Sequence, residues 1–229
     1  MTTDRTYVVT GSASGMGRAA TEKFRATGHT VIGIDLKSAD VIADLSTAEG
    51  RRTAAATALA ACDGVLDGAV LAAGLGPIAG RQRLIAQVNY FGVVELLMAL
   101  RPALARADRA KVVVIGSNST TTTPLVPQRA IRALLAGDAD RALRAVRPKE
   151  AKAIKVFPVP IGGYGDPSQL ADWMVFMLSD AADFMCGSVV FVDGGSDAYF
   201  RADSWPTAVP AISLPRYLTR FLRHRQSDG

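Results

Sequence analysis

A doubly wound parallel sheet in three α/β/α layers, built as a single domain, is the fold this sequence predicts. Three observations point to it. β-like runs alternate with helical stretches through the first half of the chain. A glycine-rich turn joins the first run to the first helix, and an acidic residue closes the second run. Further on, Lys111–Ile115 reads as a central strand buried on both faces. The length of 229 residues suits one domain or a tight pair, because domains average roughly 150 residues.

The elements follow in order. Tyr7–Thr10 reads as a strand and Gly15–Thr27 as a helix stopped by Gly28. Thr30–Ile34 is a strand closed by Asp35, and a short Val41–Ala43 run precedes an Ala-rich helix over Thr47–Ala61. Ser46 or Thr47 caps that helix, with Glu49 in its first turn. Gly68–Ala72 is a strand before the Gly74–Pro77 turn. A long helix runs from near Arg83 to Ala107, bent around Pro102. After the Lys111–Ile115 strand, Thr120–Pro127 is a loop and Gln128–Val146 a helix, while Lys149–Ile161 has no clear signature. Asp166-Pro167-Ser168 opens a helix through Leu178, and Val189–Val192 forms the last strand before Asp193-Gly194-Gly195. Residues 1–204 then make the domain, and 205–229 a basic tail with an amphipathic stretch at Leu214–Arg225.

Composition narrows the function classes. With 49% apolar and 21% charged residues the chain is globular rather than disordered. No apolar run approaches the roughly 20 residues of a membrane span, and Met1–Asp4 has no basic, then apolar, leader pattern. A cytoplasmic protein is the expectation. Cys62 and Cys186 are too few for a disulfide framework or a Cys-rich zinc site and read as buried, reduced thiols. The net charge of +5 invites a nucleic-acid reading, but the arginines are scattered or gathered in the tail, and the 7% aromatics do not interleave with them. Solvated helix faces account for the charge, and no nucleic-acid partner is expected. The tail, with Arg216, Arg220, Arg223 and Arg225 on one face, could lie on an anionic membrane, but packing on its own domain or a sister subunit is the simpler reading. His29, His224 and the carboxylates show no metal-ligand spacing, so no metal is expected.

The chemistry lies in Thr10-Gly11-Ser12-Ala13-Ser14-Gly15-Met16-Gly17, between the first strand and the first helix. Gly11 allows the tight turn, Gly15 lets backbone approach a diphosphate, and Gly17 lets the helix pack on the sheet. The helix's unpaired N–H groups and positive end favour phosphate. Asp35, 18 residues after Gly17, is placed to accept both ribose hydroxyls of an adenosine. A 2′-phosphate there would meet like charge at a cost of several kcal/mol. With no basic residue between Gly11 and Gly17 and only Lys37 nearby, NAD is favoured over NADP.

On these residues the chain resembles the short-chain dehydrogenases/reductases, whose spacing Thr-Gly-x-x-x-Gly-x-Gly it carries. Asp44-Leu45 resembles the family's adenine-contacting pair, and Leu71-Ala72-Ala73-Gly74 its Asn-Asn-Ala-Gly segment. Val88-Asn89-Tyr90-Phe91-Gly92 is similar to the segment that carries a catalytic Asn, and Val113–Ser117 to the strand end that carries a catalytic serine. Pro160-Ile161-Gly162, Asp166–Ala171 and Val190–Gly195 match later parts of the pattern. Residues from about 5 to 196 take part, and Gly33–Asp35, Val41–Gly50 and Leu71–Pro77 look most like the bacterial 3α-hydroxysteroid dehydrogenase/carbonyl reductases. The resemblance implies a Rossmann-like, homo-oligomeric oxidoreductase that interconverts an alcohol and a carbonyl on a steroid or other small hydrophobic substrate. It implies a cofactor site of Gly11, Ser14, Gly15, Met16, Gly17, Asp35, Leu36, Asp44, Leu45, Ala73 and Gly74, and catalytic roles for Ser117 and Asn89.

One motif is missing. The family's proton donor is a Tyr with a Lys four residues later, whose charge lowers the phenol pKa. Here Tyr7, Tyr90, Tyr164, Tyr199 and Tyr217 are followed at that spacing by Gly11, Val94, Ser168, Asp203 and Phe221. The resemblance jumps at about Arg147–Lys149, where a helix, a strand and the start of a substrate loop belong. Ala153–Val159 could be that strand, but Pro158 and Pro160 argue against a central one. Two readings compete: an internal segment is missing from the chain, or the chain is a homologue that keeps only the nucleotide site. Losing a helix and a strand would expose an apolar face beside Lys111–Ile115, which favours the first. Ser117 would orient a carbonyl and stabilise its developing charge, with Asn118 and Ser119 as close alternatives. Asn89 either supports the Lys or stabilises a local kink.

Overall fold

A computed structural model describes residues 4–78, 80–119, 127–145 and 159–202. All of the Thr120–Pro127 loop except Pro127, the jump at Arg147–Lys149, most of Lys149–Ile161 and the tail from 203 onward lie outside the described residues. Five parallel strands form one sheet in the order β3-β2-β1-β4-β5: β1 Thr6–Thr10, β2 Thr30–Asp35, β3 Val41–Ile42, β4 Gly68–Leu71 and β5 Lys111–Val114. Along β1 the side chains alternate between two cores. Val8 packs with Ile32, Ile34, Ala54, Ala58, Leu96 and Leu100, beneath helices α2 (Ala48–Ala61) and α4 (Gly92–Leu104). Tyr7 and Val9 pack with Ala20, Phe24, Val70, Ala171 and Met174, beneath α1 (Gly15–Ala26) and the later helix Pro167–Leu178. This is the three-layer arrangement the alternating pattern predicts.

Local chemistry sets the helix ends. Gly28 takes a φ of +86°, and N–H bonds from Gly28 to the Arg25 carbonyl (3.1 Å) and from His29 to the Phe24 carbonyl (3.0 Å) close α1 as a Schellman stop. Of the two cap candidates for α2, Thr47 is the one used: its hydroxyl accepts the Gly50 N–H at 2.9 Å.

Several expectations need correction. The long helix is α3 (Gln82–Ala86), a π-helical turn (Gln87–Phe91) and α4 in direct succession. Its irregularity therefore lies at the π turn, and Pro102 sits in the last turn. These 23 residues are long and apolar enough to cross a membrane by length and composition, contrary to the run-length expectation. Leu96, Leu100, Ala103 and Leu104 are nonetheless buried in the core. The expected Gln128–Val146 helix is two, α5 (Gln128–Leu135) and α6 (Ala139–Ala145), because Gly137 between them takes a φ of +74° that a helix cannot hold. Cys186 is exposed, and only Cys62 is buried.

A further correction concerns the sheet. β5 is an edge, not a central strand: Val113 and Ile115 pack under α7 (Pro167–Leu178), but Val112 and Val114 on the opposite face are 37% and 49% exposed. Val189–Val192 forms no strand, and Val189 is 80% exposed. A strand needs a neighbouring backbone to receive its N–H and C=O groups, and no described residue stands outside β5 to supply one. The short helix α8 (Ser196–Phe200) follows, with Asp197 and Arg201 paired and fully buried.

Lys111, at the start of β5, donates to the Asp183 carboxylate and to the Ser179 carbonyl, and Arg109 holds the other Asp183 oxygen. The Lys111 hydrogen bond, reinforced by Arg109, holds the Asp183 carboxyl below the usual carboxylate range. A carboxyl depressed in the folded state adds stability above its unfolded pKa of about 3.9, and that stability is lost as pH falls through the folded value. The Tm gap between wild type and Asp183→Asn is therefore expected to be widest near neutral pH and to close in acid. A gap independent of pH in thermal melts would contradict the pairing.

Candidate functional site

The carboxyl ends of the parallel strands meet where the strand order reverses, between β1 and β4, and that crevice is where such sheets hold ligands. The glycine loop fills it. Gly11 (φ +73°) turns out of β1 so close to the end of β4 that a Cβ would lie 3.0 Å from the Ala73 Cα. The Ala73 N–H donates to the Thr10 hydroxyl at 3.0 Å, tying the two strand ends together. A Cβ on Gly17 would sit 2.3 Å from the Gly11 carbonyl oxygen, so α1 reaches the sheet only because Gly17 has none. Gly15 is different: at φ +53° a Cβ there would meet nothing within 4 Å. It faces open space at the helix's amino end.

That end is electrically uncompensated. Ser14 is the N-cap residue but makes no side-chain cap bond, and the first turn contains no acid. Its N–H groups and positive dipole remain directed at the opening beside Gly15. Asp35, at the tip of β2, accepts from the Ala13 N–H at 3.0 Å and the Leu36 N–H at 2.6 Å, which sets its carboxylate against the same loop. A cradle with no Cβ in it, a helix amino end and a carboxylate beside them suit a diphosphate joined to a ribose.

The other expected residues line the flanks. Ser14 and Leu36 are exposed and Met16 is half-buried. Asp44 is exposed and accepts the Ser46 N–H at 2.9 Å, while Leu45 is buried against α4 where Gly92 comes close. Gly74 lies across the switch point with Ala73. Asn89 stands in the π turn and grips the loop after β4 with both ends of its amide: Oδ1 accepts the Leu75 N–H at 2.8 Å, and Nδ2 donates to the Leu75 carbonyl at 2.9 Å. Its local role here is to brace that loop. Ser117 is exposed just past β5, with its Oγ 2.9 Å from that of Ser119.

Two contributors escaped sequence reasoning. Asp193 accepts from Asn118 Nδ2 at 2.8 Å and from the Asp197 N–H at 2.8 Å, so it pins the chain beside Ser117 to the start of α8. Arg51, on α2, is 5% exposed and bonds Glu95, Gln87 and the Leu45 carbonyl. A turn at Asp193-Gly194-Gly195 is visible in sequence, but neither long-range partner is. A separate cavity of about 310 Å³ lined by Asp4, Arg5, Asp67, Asp108, Arg109 and Asp180 lies at the opposite, amino-terminal ends of the strands and is an ion-paired surface. No group of His, Cys and carboxylate residues is placed to hold a metal among the described residues.

No family model matches the chain. It is 31% identical over 249 aligned positions to the 3-alpha-hydroxysteroid dehydrogenase/carbonyl reductase of Comamonas testosteroni, covering 85% of this chain and 97% of that protein. The chain belongs to the short-chain dehydrogenase/reductase family, a family of oxidoreductases. The solved 3-alpha-hydroxysteroid dehydrogenase of Pseudomonas sp. B-0831, in complex with NADH, superposes with a TM-score of 0.80 at 35% identity, covering 87% of this chain and all of that one. The 3-ketoacyl-(acyl-carrier-protein) reductase of Brucella melitensis, at 20% identity and a TM-score of 0.61 over 84% of this chain and 98% of that one, shares the fold. The Comamonas alignment also carries a gap: 85% of 229 residues is about 195, so more than fifty of its 249 positions have no residue opposite them here. A sheet that ends at β5 and a chain with no Tyr-x-x-x-Lys both accord with a family member short of an internal segment.

Gly17→Ala forces the helix off the Gly11 carbonyl and is expected to cost about 1–3 kcal/mol, read as a drop of several degrees in Tm. Asn89→Ala frees Leu75, and hydrogen exchange at the Leu75 amide is expected to accelerate while the β1 amides are unchanged. Equal protection of Leu75 in variant and wild type would contradict the brace.

Proposed function

We propose that this chain binds NAD(H) across the carboxyl ends of β1, β2 and β4 and serves hydride transfer between an alcohol and a carbonyl on a steroid or another small hydrophobic molecule. One observation carries this reading: an uncapped helix amino end, an open left-handed Gly15 and the Asp35 carboxylate converge on one loop. The NADH complex of the Pseudomonas dehydrogenase, 35% identical, supports it. The bound dinucleotide supplies or accepts the hydride. The N–H groups at the start of α1 hold the diphosphate, with Ser14 and Met16 beside them, and Asp35 accepts the ribose hydroxyls. That carboxylate repels a 2′-phosphate, and Gly11–Gly17 contains no cation to offset it, so NAD is preferred to NADP. Leu36, Asp44 and Leu45 border the adenine end, and Ala73 and Gly74 the nicotinamide end. Ser117 orients the substrate oxygen and steadies its developing negative charge. Residues 1–204 form the working domain, in a homo-oligomer.

A second reading, a homologue that binds the dinucleotide without turnover, is favoured by the five tyrosines, none with a Lys four residues on. A general acid contributes roughly 10²–10⁴-fold to rate, and Ser117, with an ordinary hydroxyl, does not replace it.

Titrating NADH into the 229-residue chain is expected to raise Tm and change NADH fluorescence saturably. Asp35→Ala is expected to weaken NADH about 10–100-fold, the equivalent of losing bonds to a charged acceptor worth roughly 1.5–3 kcal/mol, and to narrow the gap between NADH and NADPH. Carbonyl reduction is then assayed on the same material. Binding with slow turnover supports the first reading, binding with none the second, and failure to bind removes both.

A further inference from the structure

We infer that Arg51 is a positioning residue for the dinucleotide site, coupling the loop on the β2–β3 side of the switch point to the loop on the β4–β5 side; the inference rests on the NAD(H) reading above. The buried positions of α2 are Arg51, Ala54, Ala55 and Ala58, three of which need only small apolar side chains. A buried guanidinium is costly to desolvate, and a paired one is seldom better for stability than an apolar residue of the same volume. Arg51 does what an apolar residue cannot: its rigid fork bonds three separate segments at once.

The bonds define a route. Nη1 donates to the Leu45 carbonyl at 3.0 Å, fixing the chain just past β3 beside the Asp35 side of the crevice. The same Nη1 donates to Gln87 Oε1 at 3.1 Å, at the first residue of the π turn. Nε and Nη2 form a two-pronged pair with Glu95 at 2.7 and 3.1 Å, on the first turn of α4. That helix packs against Leu45 at Gly92, whose Cβ position lies at ordinary contact distance, 3.5 Å, from the Leu45 Cβ. Asn89, in the π turn that Arg51 grips, holds Leu75 by two bonds on the far side of the switch point. Leu45 and Leu75, one on each side of the diphosphate cradle, are thus linked through a single guanidinium.

The test separates the two sides with two probes. AMP reports the β2–β3 side alone, and NADH spans both. Glu95→Gln leaves the Arg51–Leu45 bond intact and weakens the hold on the first turn of α4, which continues directly from the π turn. Because the Glu95 side chain is 44% exposed, this variant remains usable should Arg51→Lys fold poorly. Glu95→Gln is expected to leave AMP affinity within twofold of wild type and to weaken NADH about tenfold, within the range of long-range coupling effects. Arg51→Lys is expected to weaken both, NADH more than AMP. Variants that melt lower but bind NADH as wild type does would make Arg51 a brace of the fold and overturn the inference, as would equal losses of AMP and NADH in Glu95→Gln. A wild-type chain that binds neither probe overturns the NAD(H) reading itself, and the coupling with it.

Discussion

Helix α1 reaches the sheet through one contact that permits no side chain: the approach of Gly17 to the Gly11 carbonyl, where a Cβ would stand at 2.3 Å. An ordinary carbon–oxygen contact needs more than 3 Å, so any side chain there displaces the helix by about an ångström. The displacement would travel two ways. Along the helix it would lift Ala20 and Phe24 from Tyr7 and Val9, which form one of the two cores. At the amino end it would move the free N–H groups away from Gly11, whose own position is set by Ala73 at the end of β4. Core and crevice are thus built on the same glycine pair, and neither can be altered there without the other.

The sheet's other margin is held differently. Beyond β5 no ladder continues among the described residues, yet the chain from Ser179 to Asp197 stays beside it. Two polar clamps do this, one at each end of the strand. Lys111 at its start binds Asp183 and the Ser179 carbonyl, and Asn118 just past its end binds Asp193. Polar clamps of this kind position backbone but do not cover apolar surface, which is why Val112 and Val114 remain in contact with water. A parallel edge with both faces meant for burial is an unusual thing to leave open.

What the sequence made legible follows from the range of the interactions involved. Strand, glycine turn, helix and the acid at the tip of β2 are set by neighbours within about thirty residues, and all stand where the residue pattern puts them. Gly28 as a helix stop and Asp166 as a cap are local in the same sense. The expectations that failed were those needing a partner. Lys111–Ile115 carries the composition of a central strand, but being central depends on a neighbour that no described residue provides. Val189–Val192 has the right residues for a strand and no ladder to join. The π turn at Gln87–Phe91 arises where Arg51, 36 residues away, and Leu75 pull on one stretch of helix, and no periodicity announces that.

The division of labour within the family's site also follows from topology. The proposed dinucleotide half depends on β1, β2, β4, α1 and the π turn, all within the first 92 residues and bonded to one another. By the proposed function the substrate half lies past β5, where the Ser117 Oγ is 2.9 Å from that of Ser119. β4 and β5 pair over Gly68–Leu71 and Lys111–Val114, while the glycine turn, the start of α1 and Asp35 are bonded to one another on the β1–β2 side of the sheet. A chain with this architecture can retain tight recognition of a dinucleotide while losing the acid that completes a turnover. The affinity and the rate then become separate properties of one fold, the first fixed by the glycine cradle and the second by whether a phenol can be brought to the open side of β5.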